Sequence, residues 1–267
     1  MNIVRQCAAI DLLDELESKS VDMIYMDPPF GTGDVQTMDR QKGGENVSKM
    51  SYVDRFEDYE EFLCPILKES WSILSPTGTL YLHLDWRWVH YAKVWCDEFF
   101  ERENFVNEII WSYNFGGRGK DKWPAKHDTI LMYAKDRKKM VFNWDSVDRI
   151  PYKAPSLQYV NRTREEAEKR IALGQVPTDV WTDIPILGTA SKERTGYPNQ
   201  KPLALVSRMI KASTHPGDLV VDPFAGSGTT GAAALATGRR FLLADTNPTA
   251  IQVMSKRFDG SAVEFKA

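Results

Sequence analysis

The sequence predicts an α/β protein: a parallel or mostly parallel sheet with helices on both faces and an inserted region mid-chain. Three observations carry this prediction. Strands alternate with helices at both ends of the 267-residue chain. The run Val21–Met26 is apolar except for Asp22, in the manner of a strand covered on both faces. Finally, "GDLVVDPFAGSGTTGAAALATG", Gly217 to Gly238, reads as a strand, a glycine-rich turn and an Ala-rich helix.

The N-terminus, "MNIVRQCAAIDLLDELESKS", soon turns acidic and lacks the apolar region of a signal peptide. Val21–Met26 is the first strand, and it runs into Asp27-Pro28-Pro29-Phe30. Gly31 to Arg55 is polar, contains glycine and shows no periodicity, so it is expected to be a mobile loop. "FEDYEEFLCPILKESWSIL" has helical apolar spacing, and Ser75-Pro76-Thr77-Gly78 is expected to turn it into the strand "TLYLHLD". A helix from about Trp88 to Phe100 follows, then strands "FVNEIIWSY" and "DTILMYAK" on either side of a basic loop. Phe142 to Tyr197 is less regular, with one charged helix near Thr163 to Leu173. From Lys201 the rhythm resumes as helix, "DLVVD", helix, "RFLLAD", helix and a final strand near Ala262. The chain divides at 1–110, 111–196 and 197–267: the half with the Pro-Pro turn, a basic strand pair with an insertion, and the half with the glycine turn.

No apolar run is long enough to span a bilayer, so no membrane role is expected. Cys7, Cys64 and Cys96 are scattered singly without a CxxC pair. That pattern suits free thiols in a reducing cytoplasm and gives no metal site. A net charge of −3 does not favour nucleic acid globally. Between Trp111 and Met140, however, eight Lys/Arg face three Asp, a local net of 8 − 3 = +5. Arg118, Lys120, Lys122 and Lys126 are interleaved there with Tyr113, Phe115 and Trp123. A solvated face would look similar, but the mixture also suits a loop that tracks phosphates and stacks on bases.

Two stretches carry chemistry. Asp27 stands at the carboxyl end of a strand, where open α/β sheets place ligands. Pro28 and Pro29 fix φ and remove two donors, leaving carbonyl acceptors beside the flat ring of Phe30. An acceptor-only turn with a stacking ring suits a planar group bearing an NH2; an ordinary Pro-Pro turn capped by Asp27 is the alternative. In the second stretch Gly226, Gly228 and Gly231 spell GxGxxG between strand and helix. About 20 residues on, Asp245 ends a strand where it can accept hydrogen bonds from ribose hydroxyls. No Lys follows the glycines, which excludes a P-loop. NAD and S-adenosylmethionine both satisfy this pattern.

"DPFAGSGTT", Asp222 to Thr230, resembles motif I of the amino-methylating DNA methyltransferases, and "DPPF", Asp27 to Phe30, resembles their catalytic motif. "YPNQKP", Tyr197 to Pro202, "YLHLD" and "KHDTILMYAK" are similar to further segments of that family. The catalytic motif precedes the cofactor motif, the order of the β group, a circular permutation of the Rossmann-like class I methyltransferase arrangement. The resemblance implies S-adenosylmethionine as cofactor, double-stranded DNA as partner and adenine N6 as acceptor, in a prokaryotic or phage-infected cell. N4 of cytosine is the alternative, a NAD-dependent oxidoreductase is a second class, and a homodimer is left open. It implies cofactor contacts from Asp222, Phe224, Gly226, Gly228, Thr229, Thr230 and Asp245, with Lys201 toward the cofactor carboxylate. Asp27, Pro28, Pro29 and Phe30 take the catalytic roles, and the segment 111–196 holds the target-recognition region. Arg118, Lys120, Lys122 and Lys126 are the expected DNA contacts.

The chain departs from the family at two places. Ala8 stands where an acidic residue is usual, with Asp11 nearby but out of register, and Asn199 replaces a threonine. Asp85 either caps the next helix or lines the site. His83, His127 and Tyr197 read as structural.

Overall fold

The computed structural model describes residues 2–30, 35–42, 45–53, 58–113, 117, 119–152 and 163–266, with backbone pairing alone for 35–42 and 45–53. Among the described residues, strands form one nine-stranded sheet and a separate two-stranded ribbon.

The chain opens with β1 (Asn2–Arg5) and α1 (Ala9–Asp14), both too short to announce themselves by periodicity. β2 (Val21–Met26) follows as expected and is buried at the sheet centre. β3 (Val35–Lys42) and β4 (Glu45–Val53) then pair antiparallel from Val35↔Val53 to Lys42↔Glu45. This corrects the expectation of a loop over Gly31 to Arg55 for residues 35–42 and 45–53; the rest of that stretch lies outside the described residues. The runs are too polar to show an apolar alternation, yet antiparallel pairing of strands close in sequence needs none.

α2 (Tyr59–Ile73) starts where Asp58 accepts from the N–H groups of Glu60 and Glu61, at 2.9 and 3.1 Å. Its residues Leu63, Ile66, Leu67 and Ile73 make one buried face. The turn expected at Ser75–Gly78 instead lies inside β5 (Leu74–Leu84), where the register steps from Val21↔Leu74 to Met23↔Thr79. Gly78 makes that irregularity fit: a Cβ there would meet the Val21 carbonyl oxygen at 2.9 Å. α3 (Val89–Phe100), β6 (Phe105–Ser112) and β7 (His127–Ala134) follow as read. α4 (Arg164–Leu173) begins at a capping box in which Thr163 and Glu166 satisfy each other's backbone N–H. β8 (Val180–Trp181) then pairs with β6 and attaches this part of the middle segment to the sheet edge. The last third is α5 (Leu203–Ser213), β9 (Leu219–Asp222), α6 (Thr229–Ala236), β10 (Arg240–Ala244), α7 (Pro248–Arg257) and β11 (Val263–Lys266).

The sheet order is β11-β1-β10-β9-β2-β5-β7-β6-β8, and only β7 runs against its neighbours. Among the described residues, two apolar clusters form the core. One gathers Leu12, Leu63, Leu67, Ala92 and Phe100 from α1, α2 and α3. The other gathers Met209, Ala233, Ala234 and Met254 from α5, α6 and α7. Helices thus cover both faces, and strands buried on both sides need no polar alternation.

This topology positions the site. β2 and β9 are neighbours, yet the chain leaves β2 toward β5 on one side and leaves β9 toward β10 on the other. Connections diverging from two adjacent parallel strands open a crevice at their carboxyl ends, where ligands bind in such sheets. Asp27, Asp222 and Asp245 all sit at that edge. Because β6 ends there and β7 begins there, the basic segment between them emerges on the same edge.

Candidate active site

A cavity of about 890 Å³ opens at the carboxyl ends of β2, β9 and β10, with Asp27, Pro28, Phe30, Asp222, Gly226 and Asp245 among its walls. The structure therefore brings the Pro-Pro turn and the glycine turn, nearly 200 residues apart in sequence, into one space.

The glycine turn is held by its own acids. Asp222 is buried and accepts from the Phe224 N–H at 2.9 Å and from the Thr230 hydroxyl. Burial pushes its carboxyl up to about 7, with the charges of Asp27 and Asp245 adding to the effect and the two donors opposing it. Asp245 accepts from the Gly226 and Asn247 N–H groups, each at 2.8 Å. Burial raises this carboxyl as well, against those two donors. A carboxylate has about four acceptor sites, so Asp245 retains capacity for two hydroxyls. Gly226 and Gly228 adopt φ of 49° and 75°, the left-handed region. Gly228 and Gly231 also serve packing: a Cβ would stand 2.7 Å from Met254 at the first, and 2.7 Å from Leu243 and 2.8 Å from Phe258 at the second. Tyr197, read as structural, lies against Gly226 and also lines the cavity. Thr229 faces inward and donates to the Lys201 carbonyl at 3.2 Å.

Asp27 is half-buried and paired with Lys201, whose Nζ lies 2.9 and 2.8 Å from its two carboxylate oxygens. The same ammonium sits over the Phe30 ring, 5.1 Å from its centroid. Pro28 is buried. The Pro29 carbonyl accepts the Tyr59 hydroxyl at 2.8 Å, and the Tyr59 ring stacks on Trp88 at 4.4 Å. α2 thus braces the turn from below.

Behind Phe30 lies a buried polar chain. The Tyr25 hydroxyl meets His83 Nδ1 at 2.9 Å, His83 Nε2 meets Asp128 at 3.1 Å, and Tyr113 donates to Asp128 at 2.9 Å. Burial would raise the Asp128 carboxyl, but hydrogen bonding and charge from His83, the charge of Lys201 and the Tyr113 hydroxyl hold it at about 2. The His83 ring lies 6.2 Å from that of Phe30, which makes it a structural neighbour of the site. The chain ties the root of the basic segment to the strand that carries Asp27.

Asp85 accepts from the Arg87 N–H at 2.9 Å and from its guanidinium, so it turns the chain from β5 toward α3. His127 is exposed at the start of β7. Ala8 lines the cavity where the resemblance expects an acid, and Asp11 is exposed. Lys120 and Lys122 are exposed, Lys126 donates to the Gly117 carbonyl at 3.2 Å, and Arg118 lies outside the described residues. Trp123 stands 96% exposed among these lysines.

Several residues that line or brace the site carry no signal in the sequence. Phe62 of α2 packs on Phe224 at 6.0 Å and Glu61 lines the cavity. Arg257 of α7 donates to the Ser227 carbonyl at 3.0 Å and to the Thr229 hydroxyl at 3.2 Å, which clamps the glycine turn. Each belongs to an ordinary amphipathic helix and acquires its place only in three dimensions. Asp27, Glu61, Asp222 and Asp245 outnumber Lys201 along these walls, so the cavity favours a cationic guest.

The chain is similar in sequence and fold to several known proteins. The DNA methylase family profile matches residues 21–256. The DNA adenine methyltransferase YhdJ of Escherichia coli (strain K12) is 31% identical over 252 residues, covering 94% of this chain and 80% of that protein. The type II methyltransferase M.HpaI of Haemophilus parainfluenzae is 33% identical over 253 residues, covering 94% and 72%. Among solved structures, the PvuII DNA methyltransferase (cytosine-N4-specific) superposes with a TM-score of 0.68 at 17% identity, covering 97% and 86%.

Proposed function

The chain belongs to the DNA methylase family, and we propose that it moves a methyl group from S-adenosylmethionine to the exocyclic N6 of adenine in double-stranded DNA. One observation carries the reading: Asp27 and the Pro28 turn share a single cavity with the glycine turn and Asp245. The cavity fits the cofactor. It is large enough for a nucleoside with an amino-acid tail, its walls are net acidic, and the glycine turn lines it through Ala225, Gly226 and Ser227. Asp245 is positioned for the ribose hydroxyls, and Asp222, Thr229 and Thr230 shape the turn. When bound, S-adenosylmethionine supplies an electrophilic methyl on sulfonium.

The chain's own residues do the rest. An exocyclic amine is a poor nucleophile because its lone pair is delocalised into the ring. Asp27 accepts one N–H and the Pro28 carbonyl accepts the other, which draws the nitrogen toward sp3 and frees the lone pair. Phe30 stacks on the base once it has left the duplex. Holding the amine in line with the methyl supplies much of the barrier reduction. No strong base is required, since the proton leaves after transfer. Lys120, Lys122 and Lys126, with Arg118, hold the phosphate backbone at the same edge.

The relative YhdJ and the aspartate of Asp-Pro-Pro-Phe support adenine over cytosine. The nicotinamide reading of the glycine turn leaves that aspartate and the basic segment without a role. The enzyme would work in a bacterial cytoplasm, and among the described residues no helix is long and apolar enough to cross a membrane. Expression in a host without methylases, followed by base-resolved sequencing of a plasmid, tests the reading. N6-methyladenine at one recurring sequence supports it; N4-methylcytosine alone overturns the choice of base, and unmodified DNA from the folded protein overturns the function.

A further inference from the structure

Lys201 stands just before α5, and its side chain, only 10% exposed, reaches 174 residues back to Asp27. It contacts both oxygens of that carboxylate at 2.8–2.9 Å while lying over the Phe30 ring. Its own carbonyl accepts the Thr229 hydroxyl at the head of α6. One residue therefore joins the glycine turn to the Asp27 turn. Its electrostatic setting gives that contact weight. Asp27 shares the cavity with Asp222 and Asp245, and like charges in one cavity repel. An ammonium held at ion-pair distance offsets that repulsion and fixes the carboxylate plane. Three N–H donors on Nζ also orient a planar carboxylate from one side, leaving its remaining lone pairs for a substrate N–H.

We propose that Lys201 is a positioning residue for methyl transfer: it sets the Asp27 carboxylate as the acceptor of the target amine, and it is not the clamp of the cofactor carboxylate. This rests on the methyltransferase reading. In the reaction the amine lone pair forms the N–C bond, the C–S electron pair returns to sulfur, and the surplus N–H proton passes to water. Asp27, already engaged by an ammonium, acts there as an oriented acceptor and not as the final base.

The test compares Lys201→Met and Lys201→Arg with the wild type in the full chain. It uses single-turnover methylation of duplex DNA at saturating S-adenosylmethionine, with cofactor affinity measured separately by calorimetry. Lys201→Met is expected to slow the single-turnover step by about a hundredfold, the cost of a misplaced reacting group, with cofactor Kd changed by less than about threefold. Lys201→Arg is expected to recover much of the rate, since a guanidinium also pairs with a carboxylate. Asp27→Asn combined with Lys201→Met is expected to be no slower than Asp27→Asn alone, because the two act as a unit. A Lys201→Met protein that binds the cofactor tenfold or more weakly yet turns over normally at saturation overturns the proposal in favour of the cofactor clamp. If Lys201→Met does not fold, Lys201→Arg decides: near-normal Kd with an intermediate rate supports the proposal, and a selective Kd loss refutes it. Failure of the underlying reading is distinct, because the wild type would then leave DNA unmodified.

Discussion

Asp222 is expected to make stability and cofactor binding depend on pH in opposite senses. Its carboxyl sits at about 7 in the fold against an ordinary value of 3.8, first because it is buried and further because Asp27 and Asp245 lie near. The folded chain therefore holds this proton more tightly than the unfolded chain does. The stabilisation is complete below about pH 4 and is lost as pH rises through about 7. Between pH 5 and pH 8 the loss is on the order of 3 kcal/mol for this one group. Asp222→Asn removes the titration while keeping an acceptor for the Phe224 N–H. Urea unfolding of both proteins at pH 5, 6, 7 and 8 gives the comparison. The stability of the wild type relative to the variant is expected to fall across that range by the same order, roughly 3 kcal/mol. A constant difference between the two proteins would show that Asp222 is already ionised in the fold, and the account of its burial would fail. In binding, a sulfonium entering the cavity favours the ionised carboxyl. Affinity for S-adenosylmethionine is thus expected to rise with pH through about 7, with proton release visible by calorimetry in buffers of different ionisation enthalpy. No proton release near neutrality would sever that coupling.

Three further outcomes follow from the geometry. Asp245→Ala is expected to weaken S-adenosylmethionine binding by about tenfold or more, since charge-assisted hydrogen bonds contribute about 1.5–3 kcal/mol each. It also lowers thermal stability, because the Gly226 and Asn247 N–H groups lose their acceptor, and unchanged cofactor affinity in a folded variant removes Asp245 from the site. Neutralising Lys120, Lys122 and Lys126 together is expected to flatten the log–log salt dependence of DNA binding by about two to three, somewhat under one per phosphate contact, without changing cofactor affinity. An unaltered slope would make these lysines a solvated face. Phe30→Ala is expected to cost about 1–3 kcal/mol in capture of the flipped base, read as weaker brightening of a fluorescent base analogue at the target position. Full brightening would assign the stacking to another ring.

What is legible in the sequence is what local chemistry encodes. The glycine turn announces itself because φ near 49° and 75° and the close packing at Gly231 leave few other residues available. The Asp27 turn is legible because two prolines after a buried strand have few uses. Thr163 and Glu166 mark the start of α4 by spacing alone. Long-range partners are not legible. Nothing near Asp27 names Lys201, and nothing near His83 names Asp128, which reaches it across the β5–β7 pairing. The β3–β4 ribbon escapes because its polar strands carry no apolar alternation. The turn read at Ser75–Gly78 fails for a related reason. Its residues suit a turn, but β2 draws the same backbone into strand pairing on either side of the irregularity.

The most direct test of the account is single-turnover methylation by Asp27→Ala, with Asp27→Asn alongside because Ala leaves the Lys201 ammonium without its carboxylate. Products are read as modified nucleosides by mass spectrometry of digested DNA. The wild type is expected to yield N6-methyladenine, and both variants to be slower by about a hundredfold or more, roughly 3 kcal/mol of transition-state free energy. Binding of S-adenosylmethionine is expected to stay within a small factor of wild type. Near-normal turnover in folded Asp27→Ala and Asp27→Asn would contradict the assignment of Asp27 as the acceptor that orients and activates the amine.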